Sequence, residues 1–241
     1  MNTKVISQSA LDMIEQYKNV PYFNNKTQAK RASLKVNIGK GSPKEIFDEI
    51  KELAILNKID IKSFSDEGLR KFMVLNNIGI DCSGFAFYVL NEESVKRDKG
   101  SLSRKMHLDG FISRFRPEIN SDVKVFADDR NSHVVPLKEI QVGDIITMIA
   151  ERNHILVIYQ IEYQNFIPTT LHYAHAIAWP TDGEFGHGLH KGIIEIINPE
   201  KDLFEQRWIE LGKDSLVNGD ENYTFSRARK SKTEIRRLNW F

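Results

Sequence analysis

Gly79-Ile80-Asp81-Cys82-Ser83-Gly84-Phe85 holds the only cysteine among 241 residues. An apolar run, Phe85-Ala86-Phe87-Tyr88-Val89-Leu90, follows it and predicts a buried helix starting at or beside Cys82. A helix N-terminus carries partial positive charge and unpaired N–H groups, which favour thiolate over thiol and can hold an oxyanion. The competing reading is a small buried core residue, a common fate of a free cysteine.

A cysteine nucleophile needs a base, and histidine suits neutral pH. Of the seven histidines, His154 stands out, because it opens the apolar stretch Ile155-Leu156-Val157-Ile158-Tyr159 directly after a turn. A third polar group should orient its ring. His172 and His175 are both available on the next stretch, Leu171 to Ala176. They are three positions apart on a strand, so only one of them can face Cys82. His107, His133, His187 and His190 read as surface or structural. The spacings His172-x-x-His175 and His187-x-x-His190, with Cys82, also allow a zinc site in principle. The strand periodicity and the glycines around His187 argue against it.

The elements that must position these groups follow from periodicity. Ser7 or Ser9 caps a helix to about Lys18, with Leu11 and Ile14 on its apolar side. Pro21 and the pair Asn24-Asn25 turn the chain. Residues 26–42, with Lys26, Lys30, Arg31, Lys35 and Lys40, end in Gly39-Lys40-Gly41-Ser42. They lack the spacing of a phosphate loop and read as a mobile, solvated loop. Ser42-Pro43-Lys44-Glu45 starts a second helix, with Ile46, Phe47, Ile50, Leu53, Ala54 and Leu56 expected as its apolar face. Ser65-Asp66-Glu67 starts a third, with Leu69, Phe72, Met73 and Leu75 expected as its apolar residues. The cluster Lys96, Arg97, Lys99, Arg104 and Lys105 reads as a solvated face, and a short helix is expected within Arg104 to Arg116, including Phe111.

From Val123 the period becomes extended. Strands are expected over Ser132-Val135, Asp144-Ile149, His154-Tyr163, Thr169-Trp179 and Gly192-Ile197, with a turn at Thr181-Asp182-Gly183. Closely spaced strands predict an antiparallel meander. Helices first and strands after give an α+β fold rather than a doubly wound sheet. Toward the end, a helix is expected over Leu203 to Leu211 and an edge strand at Tyr223-Thr224-Phe225-Ser226. A basic terminus from Arg227 to Arg237 would blunt that edge.

Composition bounds the rest. A content of 41% hydrophobic and 28% charged residues supports a soluble core, and a net charge of +1 gives no field for nucleic acid or a membrane. No stretch reaches a membrane-spanning length. Met1 to Ser7 lacks the apolar core of a signal peptide, which implies the cytoplasm, or the periplasm or exterior if a leader is missing.

Taken together, Asp81-Cys82-Ser83-Gly84-Phe85 resembles the nucleophile motif of NlpC-type papain-like cysteine peptidases, which act on bacterial cell walls. Val20-Pro21-Tyr22-Phe23-Asn24-Asn25 resembles the family's Pro-Tyr-x-Trp-Gly-Gly segment. Val142-Gly143-Asp144-Ile145-Ile146 resembles Pro-Gly-Asp-Leu. Asn153-His154-Ile155-Leu156-Val157-Ile158-Tyr159 resembles His-Val-Gly-Ile-Tyr, and Tyr173-Ala174-His175-Ala176 resembles Phe-Ile-His-Ala. The resemblance implies a papain-like core in one domain spanning 1–241, with a helical insert at 26–78 and a C-terminal extension at 200–241. It implies Cys82 as nucleophile, His154 as base and His175 as orienting residue, with Tyr22 beside the oxyanion. Asp81 and Ser83 would meet a substrate amine. The implied activity is hydrolysis of an amide in a peptidoglycan stem peptide or related small peptide, without metal or cofactor. Two alternatives use the same fold: a non-catalytic glycopeptide-binding protein, and an acyltransferase or deamidase. Asn24-Asn25 in place of the glycine pair, and the long segment before Cys82, depart from the family pattern.

Overall fold

The computed structural model describes residues 2–24, 35–110, 112–179, 187–211 and 216–241. Asn25, Lys26, Lys30, Arg31, Phe111 and the turn at Thr181-Asp182-Gly183 lie outside the described residues. The fold is α+β, and among the described residues nine strands form one sheet whose pairs are all antiparallel.

Strand β1 (Asn2–Val5) leads into helix α1 (Gln8–Gln16). Ser7 Oγ caps α1 by accepting from Ala10 N, and α1 buries Ala10 and Ile14. Tyr17 follows, sealed in the core with its ring edge-on to Phe85 at 5.7 Å. Helix α2 (Pro43–Leu56) starts with a reciprocal Ser42/Glu45 capping box. Helix α3 (Asp66–Leu75) starts with Ser65 Oγ accepting from Gly68 N. Helix α4 (Cys82–Lys96) is apolar around most of its circumference, so it is buried on nearly all sides. Short helices α5 (Leu102–Lys105), α6 (Pro117–Asn120) and α7 (Val123–Phe126) lead to the strands.

These are β2 (Ser132–Val134), β3 (Ile145–Ile149), β4 (His154–Gln164), β5 (Ile167–Ile177), β6 (Gly188–Glu195), β7 (Arg207–Leu211) and β8 (Leu216–Asn218), then helix α8 (Tyr223–Arg229) and strand β9 (Lys232–Leu238). Their order is β2-β9-β3-β4-β5-β6-β7-β8, with β1 on the far half of β4. The two-residue period of β4 and β5 splits the core. Ile155, Val157, Ala174 and Ala176 pack against α1 and α4. Leu156, Ile158, Leu171 and Tyr173 pack with Trp208 and Phe225 on the other face.

Several expectations are corrected. Strand β1 has no strong sequence signal, being four exposed residues held by pairing to β4. Leu203 to Leu211 is a single 3-10 turn followed by β7, because the apolar Trp208 is needed on the sheet face. Tyr223 to Arg229 is a helix capped by Asn222, not an edge strand. The basic terminus does not blunt an edge. It forms β9, inserted between β2 and β3, where Arg236 pairs with Glu234 and Arg237 with Asp144. Strands β7, β8 and β9 of this C-terminal stretch belong to the sheet.

Candidate active site

Cys82 is the first residue of α4, and Asp81 is its N-cap, accepting from Gly84 N at 2.6 Å. A side chain at position 84 would meet Gly39 O at 2.5 Å, so the close approach of the 39–41 loop to the helix start requires glycine there. The thiol is 4% exposed. The Ile155 backbone N–H lies close enough to favour its ionised form, which places the sulfur near the start of β4. A cavity of about 260 Å³ opens on this point, walled by Lys40, Asp81, Cys82, Ser83, Asn120 and Asn153 among others.

His154 sits at the same strand end and is 1% exposed. Its Nε2 is 2.6 Å from His175 Nδ1, and His175 Nε2 is 2.8 Å from Glu210 Oε1. Tyr173 donates its hydroxyl to the other oxygen of Glu210. His190 Nδ1 lies 3.7 Å from Glu210 Oε1, its ring stacked on Trp179. The choice left open between His172 and His175 is thus decided geometrically. His175 shares the sheet face of Tyr173 and reaches His154, whereas His172 binds Glu162 at 2.9 Å. Among the described residues no group of three or more His, Cys, Asp or Glu side chains could hold a metal ion.

The protons in this chain can be assigned by elimination. An ionised Glu210 only accepts, so His175 carries its proton on Nε2 and offers a lone pair at Nδ1. His154 must then donate from Nε2, which leaves a lone pair on its Nδ1. Burial, then the neighbouring His175, holds the His154 ring well below its ordinary pKa of 6.5. It is a neutral base rather than a resident cation.

The electrostatic balance at the sulfur runs against the thiolate expected at a helix start. Burial, then the adjacent Asp81 carboxylate, pushes the Cys82 thiol up to about 12. Lys40, Arg227 and the Ile155 N–H pull in the opposite direction and are outweighed. Desolvation of a largely buried sulfur outweighs the fractional charge of a helix end. Tyr22 is half-buried beside the site and forms a parallel bridge to Ile80. Burial, then the nearby Cys82, raises its hydroxyl.

Lys40 overturns the reading of residues 26–42 over their described part. It is 6% exposed, and its Nζ lies 2.9 Å from Asp81 Oδ1 and donates to Ser83 Oγ. Asp81 and Ser83 are therefore both engaged by a lysine of the chain itself, and both line the cavity. Arg227, read from sequence as part of a charged edge, donates to the carbonyls of Arg152 and Asn153 at 2.8 and 3.1 Å. It fixes the turn that delivers His154. Glu210 was hidden inside an expected helix, and a carboxylate amid Trp208, Ile209 and Leu211 was the only hint of it. Comparison with protein-family models, curated proteins and solved structures finds no match to this chain.

Proposed function

We propose that the chain is a cysteine hydrolase that cleaves an amide bond, built on a papain-like core. The observation that carries this reading is the buried run His154–His175–Glu210, which begins at the strand end whose neighbouring residues Asn153 and Ile155 border the one thiol of the chain. Such a sequence of polar groups at zero exposure is costly unless fully paired, and its pairing directs one lone pair to His154 Nδ1.

Starting from a neutral thiol, attack and proton transfer are coupled. The Cys82 sulfur bonds to the carbonyl carbon as its proton passes to His154 Nδ1. The imidazolium so formed is stabilised through His175 by the Glu210 carboxylate. The oxyanion takes the Cys82 backbone N–H and the Tyr22 hydroxyl. The tetrahedral carbon collapses, the C–N bond breaks, and His154 delivers the proton to the leaving amine. Water, deprotonated by His154, then cleaves the thioester and releases the acid. A short peptide, such as a peptidoglycan stem fragment, is the substrate class that the motif resemblance suggests.

The test is release of a new amine from the stem tripeptide L-Ala-γ-D-Glu-L-Lys by the wild-type chain, Cys82→Ala and His154→Ala. Turnover lost in both variants, with a thioester adduct on Cys82 by mass spectrometry, is expected. Equal turnover in Cys82→Ala refutes the reading. The protonated resting thiol favours one rival, a peptide-binding protein with an inert cysteine. Binding of the tripeptide without any turnover would select that rival. Amide product formed with an added amine would identify acyl transfer instead.

A further inference from the structure

Lys40 is held in place more firmly than a surface ion pair requires. Gly39 has φ +77°, and a side chain there would stand 2.0 Å from Phe23 O, so the loop turns where only glycine fits. Gly39 O accepts from Asp81 N at 2.9 Å, and Lys40 N donates to Lys35 O at 2.8 Å. Tyr88 donates its hydroxyl to Lys40 O at 2.9 Å. Lys40 also bridges to Ile80, one residue before the N-cap of α4. The backbone is thus pinned on several sides to deliver one ammonium into a nearly dry position against Asp81 and Ser83. Burying that pair has a desolvation cost that an incidental contact would not repay. Both partners and the lysine line the cavity that holds Cys82.

We propose that Lys40 is a specificity-determining residue, an internal ammonium that neutralises Asp81 and so selects acyl donors whose own amine is already blocked. The inference rests on the hydrolase reading and sharpens its substrate class to internal or N-acylated peptide segments. A substrate ammonium entering the cavity would need a carboxylate partner. Asp81 already has one cation, and a second ammonium beside Lys40 would face like-charge repulsion. The other carboxylate on the wall, Asp122, is exposed to water and caps α7 by accepting from Val125 N at 3.0 Å. It offers a screened charge rather than a dry anchor.

The experiment compares L-Ala-γ-D-Glu-L-Lys with its N-acetyl form, using kcat/KM for the wild-type chain and Lys40→Met, and Cys82→Ala as the blank. The wild-type chain is expected to turn over the acetylated probe at least as well as the free amine. Lys40→Met, which keeps the length of the side chain and frees Asp81, is expected to shift the ratio toward the free amine by on the order of tenfold, the worth of one charged hydrogen bond. A wild-type preference for the free amine, or an unchanged ratio in a folded Lys40→Met, overturns the inference while leaving the hydrolase standing. If Lys40→Met does not fold, the wild-type ratio alone decides. Turnover of neither probe above the Cys82→Ala blank overturns the hydrolase and this inference together.

Discussion

Alkylation of Cys82 by iodoacetamide measures the resting protonation state of the thiol. Burial and Asp81 lift the thiol from an ordinary 9.0 to about 12. At pH 8 that difference lowers the thiolate fraction by about a thousandfold, while the greater basicity of the sulfur returns roughly twentyfold to thirtyfold in nucleophilicity. The net rate is then on the order of fiftyfold below that of free cysteine, before any steric shielding. Because the chain has one cysteine, mass spectrometry of the intact protein follows a single adduct. Shielding scales the rate but does not move its dependence on pH. The expected profile therefore rises tenfold per pH unit through pH 10 with no plateau, and His154→Ala leaves it unchanged, since a neutral imidazole gives no field to lose. A plateau reached by pH 8, abolished in His154→Ala, would mean a preformed thiolate–imidazolium pair and refute the coupled-transfer argument.

Replacing Glu210 by Gln removes the fixed acceptor that orders the proton chain; kcat should fall by about tenfold to a hundredfold with KM little changed, and the acid limb of the rate profile should move to lower pH. An unchanged kcat in steady-state assays would leave Glu210 a packing residue. His154 has a folded pKa below its unfolded value, so the folded state binds fewer protons in acid. Stability is therefore full above pH 6.5 and is lost as pH falls below it. Urea melts between pH 7 and 5 should show a shallower loss for His154→Asn than for the wild type, and identical slopes would contradict the burial argument. Gly39→Ala forces a side chain into positive φ and against Phe23 O, which should cost about 2–4 kcal/mol and lower Tm by roughly 5–10 °C. A calorimetric shift under about 1 °C would show that the loop yields.

The local rules of the chain fixed much of this molecule before any tertiary contact. Ser42 and Ser65 cap helices because a short hydroxyl followed by an apolar stripe needs no partner from elsewhere. The same holds for the start of α4 at Cys82 and for strands β3 to β5, whose alternation is intrinsic to their residues. The opposite facing of His172 and His175 was also legible, since it follows from strand geometry alone. What tertiary structure decided was which partners those groups meet. Glu210 becomes the end of the proton chain only because β7 lies beside β6, and Lys40 becomes a buried cation only because a glycine turn lays it against the helix cap. The state of the thiol was decided the same way. A helix end argues for thiolate from sequence, but desolvation depends on everything packed around the sulfur, and that sum exists only in the folded chain.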